Sequence, residues 1–239
     1  MFRVDLHSHT RFSRDAHTLP LELVDRAHET RLDRIAVTDH GTIEGALIAR
    51  DAAPDLVIVG EEIRCRCHTE LIGLFLHERI PQRLPIAEVV ARIRDQGGVI
   101  YAPHPFAYAR QWVRRAQRAL DVADAVEAIN ARAFLPIWNQ AAWRAAARRG
   151  IPMAAGSDAH FGFEIGRAYA EMPAFEDRDG FKRALLASRP VKVTTSSPAL
   201  HVVGFALTCG RVAAEALSAR PGGQLPNREN RRWGLVRPS

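Results

Sequence analysis

The sequence predicts an α/β protein whose strands form a barrel-like sheet covered by helices. Short apolar runs, typical of buried strands, alternate with segments in which apolar residues recur at helical spacing. This repeated order favours a mostly parallel sheet, closed or nearly closed into a barrel. Histidines and carboxylates follow most of the apolar runs, and side chains at strand ends meet on one rim of such a barrel. The chain has 239 residues and 47% hydrophobic content, which is enough for one core of this kind.

The predicted strands are runs of β-branched and other apolar residues bounded by polar, proline or glycine residues. Two of them, Glu62–Arg66 and Glu70–Leu76, are expected to pair across a short turn. In chain order the strands are Phe2–Leu6, Arg34–Thr38, Leu56–Val59, Glu62–Arg66, Glu70–Leu76, Val99–Ala102, Ala125–Ile129, Met153–Ala155 and Val191–Thr194.

The predicted helices fill the intervals between these strands. The first has proline in its first turn and Thr18 available as a cap. The third shows apolar side chains at helical spacing and stops at Gly97 and Gly98. In chain order the helices are Pro20–Thr30, Ile43–Ala52, Ile86–Gln96, Trp112–Ala119, Pro136–Arg149 and Phe181–Ala187, with a terminal helix within Pro198–Ser218.

One domain is expected over residues 1–218, followed by a mobile basic tail at 219–239 that is rich in Pro, Gly, Asn and Arg. The first strand begins so close to Met1 that no signal peptide is expected, and no stretch is apolar enough to span a bilayer. Three cysteines do not form a disulfide framework, which favours a reducing cytoplasm. A zinc finger is disfavoured at Cys65-Arg66-Cys67-His68, because no second ligand pair follows. The two cysteines are expected to be small buried or edge side chains of a strand.

The formal net charge is +6, and nearly all of the basic residues are arginine. Arginine suits bidentate contacts to phosphate, but a genome rich in G and C would produce the same bias. The charge therefore decides little about partners. Nucleic acid is a possible partner but not a favoured one, and no membrane partner is expected.

Histidines and carboxylates are grouped in short motifs along the chain. Residues two apart in a strand share a face, so His7 and His9 point the same way, as do Asp158 and His160. Imidazole with carboxylate is the ligand mix of Zn, Mn or Fe, whereas Ca and Mg favour oxygen alone. The pattern predicts a multinuclear metal site and metal-assisted hydrolysis. In order, the motifs are His7-Ser8-His9, Asp15, Thr38-Asp39-His40, Gly60-Glu61-Glu62, His104-Pro105 and Ser157-Asp158-Ala159-His160.

The segments HSHTRFSRDA, VTDHGTIEG, HPF and AGSDAH, which together span roughly the first 170 residues, resemble the PHP (polymerase and histidinol phosphatase) domain family. The resemblance implies a distorted barrel of seven β/α units with a metal site at the C-terminal rim of the strands. It also implies two divalent metal ions (Mn, Zn or Fe), with a third left open. The ligands that it implies are His7, His9, Asp15, His40, Glu62, His104, Asp158 and His160.

The ligands for a third metal depart from the family pattern. Members with a full third site usually carry a histidine where this chain has Glu70, and a carboxylate also binds Zn or Mn. His68 shares the face of Glu70 and would replace it only through a bulge. Glu62 is preferred to Glu61 because the family spacing places an apolar residue after the ligand.

The resemblance implies hydrolysis of a phosphate ester of a small metabolite or nucleotide through a metal-bridging hydroxide. Asp158 and His160 are the expected catalytic residues at the metals. Asp39 is expected to orient a histidine rather than to bind a metal directly. Three arginines are candidates for contacts to the substrate phosphate because they follow strand ends or lie beside ligands: Arg132, Arg167 and Arg14.

Three other functions remain to be weighed. A nuclease that trims 5′ ends of oligonucleotides would need a basic groove with stacking aromatics, for which Tyr108 and Trp112 are candidates. A non-catalytic metal-bound scaffold is disfavoured by the near-complete ligand set. An amidohydrolase-type site would want a lysine between the metals, and Lys182 and Lys192 both lie late in the chain. The substrate, the metal and the oligomeric state are not readable from the sequence.

Overall fold

The computed structural model describes residues 1–107, 112–197, 199–200, 202–204 and 206–210. Its strands are β1 Phe2–Asp5, β2 Arg34–Val37, β3 Val57–Arg64, β4 Glu70–Leu74, β5 Val99–Ala102, β6 Ala125–Asn130, β7 Met153–Gly156, β8 Ala168–Met172 and β9 Arg189–Lys192. Its helices are α1 Pro20–Glu29, α2 Glu44–Ala52, α3 Ile86–Asp95, α4 Trp112–Leu120, α5 Pro136–Arg149 and α6 Arg178–Leu185, with a short 3-10 helix at Gly162–Glu164.

The described strands form one sheet in the order β7-β6-β5-β4-β3-β2-β1-β8-β9. Neighbours are parallel within β1–β3 and within β5–β7, whereas β4 is antiparallel to β3 and β5, and β8 is antiparallel to β1 and β9. Seven of these strands therefore run in one direction. The sheet nearly closes where the Leu6 amide donates to the Ala155 carbonyl (3.2 Å) and Ser8 forms a parallel bridge with Ala159. The predicted α/β barrel is confirmed.

Alternation along the strands separates the barrel interior from the layer under the helices. In β2, Ala36 joins an interior cluster that draws residues from β1 to β8, while Ile35 and Val37 pack under α1 and α2. In β5, Tyr101 is interior and Ile100 packs under the helices of the other half. Because successive strand residues point to opposite faces, both layers are apolar, as expected for a sheet covered by helices.

The structure differs from the predicted strands in three places. The expected strands at Leu56–Val59 and Glu62–Arg66 are one continuous strand, β3. Gly60 does not break it, because a Cβ there would lie 2.9 Å from the Gly73 carbonyl oxygen, so glycine permits close approach of β4 rather than a turn. Strand β8 was not predicted, since its alanine-rich sequence has low β-propensity. Strand β9 begins before the predicted Val191–Thr194.

The C-terminal region is described only in part. Residues 199–200, 202–204 and 206–210 have helical backbone, which agrees with the predicted terminal helix. The remainder of that helix, the predicted tail at 219–239 and Tyr108 lie outside the described residues. Within the described ranges, no helix is both long and apolar enough to cross a membrane.

We expect Gly156→Ala to destabilise the protein by about 1–3 kcal/mol, because a Cβ at the end of β7 would lie 2.4 Å from His7 Cβ and 2.5 Å from Glu127 Oε1. Thermal unfolding would measure the loss. Gly210→Ala is the control, since no described atom lies within 4 Å of a Cβ at that position. Equal unfolding temperatures for the two variants would contradict the expectation, because they would mean that β7 shifts away from His7 without loss of stability.

Candidate metal centre

The histidines and carboxylates singled out in the sequence meet at one rim of the barrel. Strands β1, β2, β3, β5 and β7 run in the same direction, so their C-terminal ends lie at the same edge. All eight predicted ligand side chains lie in one connected group with ion-pair distances of 3.2–3.7 Å between them. These are His7 and His9 after β1, Asp15 in the following loop, His40 after β2, Glu62 in β3, His104 after β5, and Asp158 and His160 after β7.

The most buried group of ligand atoms surrounds a single point. His7 Nε2 lies 3.0 Å from His9 Nε2, 3.3 Å from Glu62 Oε2 and 3.6 Å from Asp158 Oδ1. His9 Nε2 lies 3.4 Å from the same two oxygens. In a tetrahedral zinc site with bonds of about 2.0–2.1 Å, neighbouring donors are about 3.3 Å apart. These donors therefore fit one divalent metal ion, and this group is called cluster 1.

Hydrogen bonds behind the two histidines orient them as ligands. His7 Nδ1 lies 3.0 Å from Glu127 Oε1, a carboxylate oxygen that can only accept, so Nδ1 donates. The Ser13 hydroxyl donates its one proton to Asp39 (2.8 Å), so it accepts from His9 Nδ1 at 3.1 Å. Both Nε2 atoms therefore present lone pairs to the cluster. Two lone pairs 3.0 Å apart beside carboxylates repel one another unless a cation lies between them.

Cluster 2 lies toward solvent and consists of Asp15, His40 and His160. Asp15 Oδ2 is 3.4 Å from His160 Nε2 and 3.7 Å from His40 Nε2. His160 Nδ1 lies 2.9 Å from the Asp158 carbonyl oxygen, an acceptor, which leaves its Nε2 to face Asp15. Ligand atoms of His40 and His160 also lie within 4.8 Å of one in His9, which belongs to cluster 1. Cluster 2 could therefore hold a metal adjacent to cluster 1.

Cluster 3 consists of Glu62, Glu70 and His104, whose ligand atoms lie within 4.8 Å of one another. His104 Nε2 is 3.4 Å from Glu62 Oε1, the oxygen that does not face cluster 1. Glu70, from the first position of β4, thus joins the group. His68 is exposed in a turn with a φ of +63° and is in none of the described ligand groups. Glu70, found where the family usually carries a histidine, is therefore the third side chain of this group.

Glu61 and Glu62 point to opposite faces of β3. Glu61 is buried away from the ligand clusters, where its Oε2 accepts a hydrogen bond from the Ile80 amide (2.7 Å). Burial raises the pKa of Glu61 to about 7, although its hydrogen bonds and the charge of Arg79 act in the opposite direction. The structure therefore places Glu62, and not Glu61, with the histidines.

The electrostatics of clusters 1 and 2 keep their carboxylates ionised. Burial opposes ionisation of Glu62, but the neighbouring imidazoles of His40 and His7 hold its pKa well below the ordinary value. Burial lowers the pKa of His9, and with the nearby His40 and His160 it brings that pKa to about 3. Burial also acts on His104, yet its hydrogen bond to Glu62 and the charge of that residue raise its pKa to about 10. Ionised carboxylates beside imidazoles are a donor set for divalent cations.

Two ligand residues have left-handed backbone conformations. His104 has a φ of +29° and Asp158 a φ of +53°, each of which costs about 1–3 kcal/mol for a residue with a side chain. Hydrogen bonds hold both in place: the His104 amide donates to Glu127 Oε2 (2.8 Å) and the Asp158 amide donates to the His7 carbonyl (2.7 Å). At these two positions the left-handed backbone directs a side chain into the site.

Glu127 and Asn130, both in β6, are site residues that the sequence analysis missed. Glu127 is fully buried and contacts two ligands, through the His7 imidazole and the His104 amide. Asn130 Nδ2 donates to Glu127 Oε2 (3.0 Å) and to Asp158 Oδ2 (3.2 Å). The available signal was a glutamate in the middle of an otherwise apolar strand, because a buried carboxylate requires hydrogen-bond donors.

Asp39 lies behind the ligands, as expected for a residue that orients a histidine. It accepts hydrogen bonds from the Thr10 amide (2.7 Å), the Thr10 hydroxyl (2.6 Å) and the Ser13 hydroxyl, and so reaches His9 through Ser13. Burial raises its pKa to about 6, although these hydrogen bonds act in the opposite direction.

The three arginines predicted to contact phosphate lie in different environments. Arg132 is only 5% exposed, and its Nη1 pairs with Glu164 Oε2 at 3.0 Å. The same oxygen accepts from the His160 amide (3.1 Å), so Arg132 supports the loop that carries His160. Arg167 is half-buried, donates to Ser196 Oγ and lies 5.4 Å from the centre of a phenylalanine ring, whereas Arg14 is exposed. Their contact with a substrate phosphate stays a prediction.

Comparison with known proteins agrees with this architecture. The PHP-associated family matches residues 136–190, from α5 to β9. The uncharacterized protein MJ0417 of Methanocaldococcus jannaschii is 35% identical over 173 residues, which cover 70% of this chain and 69% of that protein.

Two solved structures share the fold. A two-domain protein from Bacteroides vulgatus, described as containing a predicted PHP-like metal-dependent phosphoesterase, has a TM-score of 0.65 at 19% identity, over 87% of this chain and 70% of that one. The lesion-specific endonuclease PfuEndoQ from Pyrococcus furiosus has a TM-score of 0.55 at 14% identity, over 79% of this chain and 57% of that one.

The fold and the site define an α/β barrel with a group of histidines and carboxylates on one rim. The chain belongs to the PHP family, as its sequence motifs predicted.

We expect Glu127→Gln to lower the affinity for divalent metal about 10- to 100-fold, because the neutral amide no longer strengthens His7 as a ligand. Competition with a chromophoric chelator would measure the affinity for Zn and Mn. Glu88→Gln on α3, which removes a carboxylate paired with Arg92 on the surface, is the control and should leave affinity unchanged. Equal affinities for both variants would mean that Glu127 does not tune His7.

Proposed function

We propose that this chain is a metal-dependent phosphoesterase that hydrolyses a phosphate ester of a small metabolite or nucleotide. The observation that carries the proposal is the sharing of Glu62 by three adjacent ligand clusters. Its Oε2 contacts His7, His9 and His40, and its Oε1 contacts His104. Adjacent divalent metals are the arrangement that enzymes use to clamp both the attacking and the leaving oxygen of phosphoryl transfer.

The clusters differ in exposure, which indicates the side from which substrate enters. The side chains of His7 and His9 in cluster 1 are fully buried. In cluster 2 the side chains of His40 and Asp15 are 41% and 46% exposed. We infer that the phosphate approaches across cluster 2 and that cluster 1 forms the closed floor of the site.

Bound divalent ions would supply a nucleophile at neutral pH and neutralise the charge that develops on the phosphoryl oxygens. The residues of this chain hold the ions and exclude water from the inner side. Asp158 and His160 are the proposed catalytic residues at the ions. Asp39, acting through Ser13, and Glu127 fix the orientation of the inner histidines.

We propose two ions at clusters 1 and 2 and a third at cluster 3. Zn, Mn and Fe are all compatible with clusters 1 and 2, whereas two carboxylates and one imidazole at cluster 3 suit Mn well. The support is the convergence of Glu70 with Glu62 and His104. Burial of Glu70 and, after it, the neighbouring charge of Glu62 raise the pKa of Glu70, as expected for carboxylates that share a site without a cation.

We expect Glu70→Ala to lower the number of Mn ions retained per chain by one, because cluster 3 would keep only two donors. Elemental analysis after desalting from saturating Mn would give the stoichiometry. His68→Ala, in the turn directly before β4, is the matched control and should retain the original number. An unchanged stoichiometry for Glu70→Ala would exclude an ion at cluster 3.

A nuclease acting on oligonucleotide 5′ ends is the second candidate, and one feature favours it. Phe161 and Phe163, directly after His160, stack with their ring centres 5.4 Å apart, and Phe163 is 50% exposed. Exposed aromatic rings beside a phosphate-cleaving site suit the stacking of bases. The other aromatic candidates were Tyr108, which lies outside the described residues, and Trp112, whose side chain does as well.

The decisive measurement is phosphate release from phosphomonoesters, nucleotides and 5′-phosphorylated oligonucleotides by Mn- or Zn-loaded protein. We expect metal-dependent release and a loss of at least about 100-fold in the His9→Ala, Asp158→Ala double variant, since two of four donors in cluster 1 are removed. A preference for oligonucleotides would favour the nuclease. Failure of the metal-loaded protein to release phosphate from any substrate would favour a non-catalytic scaffold.

A further inference from the structure

A small pocket of about 140 Å³ adjoins cluster 3. It lies between the turn that joins β3 to β4, the loop after β5 and α4. Glu70 and His104, which belong to cluster 3, form part of its wall. The residues that give the pocket its polar character are Arg64, His68, Thr69 and Arg115.

The lining of the pocket is cationic and incompletely paired. The Arg115 Nε atom is buried and has no hydrogen-bond partner among the described residues. A buried guanidinium N–H without an acceptor is costly, so Arg115 is suited to receive an acceptor that enters the pocket. Arg64 Nε lies 3.7 Å from Glu70 Oε1, too far for a hydrogen bond, so its guanidinium also retains donors.

The pocket lies directly beside the proposed metal clusters and shares two residues with them. Because Glu70 and His104 line both the pocket and cluster 3, a molecule whose phosphate lies on the metals can extend directly into it. Glu70 is the one carboxylate in the wall, and a metal at cluster 3 would neutralise it. Two arginines in a pocket of this size suit a group such as phosphate or carboxylate, which accepts hydrogen bonds from guanidinium in pairs.

We infer that this pocket binds a second oxyanion of the substrate, located on the part of the molecule that leaves when the phosphate ester is cleaved. The inference rests on the proposed function and narrows it to phosphate esters that carry another phosphate or a carboxylate. Arg115 and Arg64 are then the residues that determine specificity, and the metal clusters hold the ester that is cleaved.

Equilibrium binding separates this inference from the proposed function. Calorimetric titration of Mn-loaded protein with alkane-1,n-bisphosphonates of three to five carbons would be compared with the corresponding alkylphosphonates. Neither series is hydrolysed, so the comparison does not depend on turnover. We expect the best bisphosphonate to bind at least about tenfold more tightly than its monophosphonate, as charge-assisted hydrogen bonds allow.

Variants of the pocket residues test whether the pocket causes the preference for bisphosphonates. Arg115→Met should remove the preference for the bisphosphonate and leave monophosphonate affinity unchanged, and Arg64→Met should do the same if the first variant folds poorly. Arg114→Met, an exposed neighbour on α4 outside the pocket, is the control and should keep the preference. Equal affinity for the two series in the wild type, absence of binding by either series, or a preference that survives both pocket variants would overturn the inference. Phosphate release from simple monoesters decides the proposed function independently.

Discussion

The carboxylate of Glu62 is the group on which the arrangement of the site depends. Its two oxygens contact four histidines from three strand ends, at 3.2–3.4 Å. It reaches this position because β3 continues past Gly60 while β4 approaches closely on one side. A buried anion among imidazoles is stable only when partners of opposite charge surround it, so the clusters and the conformation of β3 are coupled.

A layer of hydrogen bonds behind the ligands defines their orientation. Glu127 holds His7, Ser13 links His9 to Asp39, and the Asp158 carbonyl accepts from His160. In each case the acceptor leaves Nε2 facing the site, so the donors are oriented by the protein before any ion binds. The buried Arg132–Glu164 pair extends this layer by binding the His160 amide. Such preorganisation explains why Asp39, Glu127, Glu164 and Arg132 are buried at the rim of the barrel.

The site is closed on one side and open on the other two, and this asymmetry bears on substrate choice. Cluster 1 backs onto the barrel interior, where Leu6 and Tyr101 are fully buried. Cluster 2 faces solvent beside the stacked rings of Phe161 and Phe163, while cluster 3 opens toward the cationic pocket. A phosphate ester bound as proposed would therefore meet aromatic surface in one direction and positive charge in the other, which are two different means of recognising the rest of the molecule.

The sequence by itself determined the fold class, the family and the order of the ligand motifs, because strand alternation and the HxH, TDH and DxH spacings are local properties. The tertiary structure decided between Glu61 and Glu62, brought Glu70 to His104 across antiparallel strands, and revealed Glu127 and Asn130 behind the ligands. It also placed Arg132 in a buried ion pair. The reason is physical: these outcomes depend on strand register and barrel closure, which set distances between residues far apart in the chain and leave no local periodic signal.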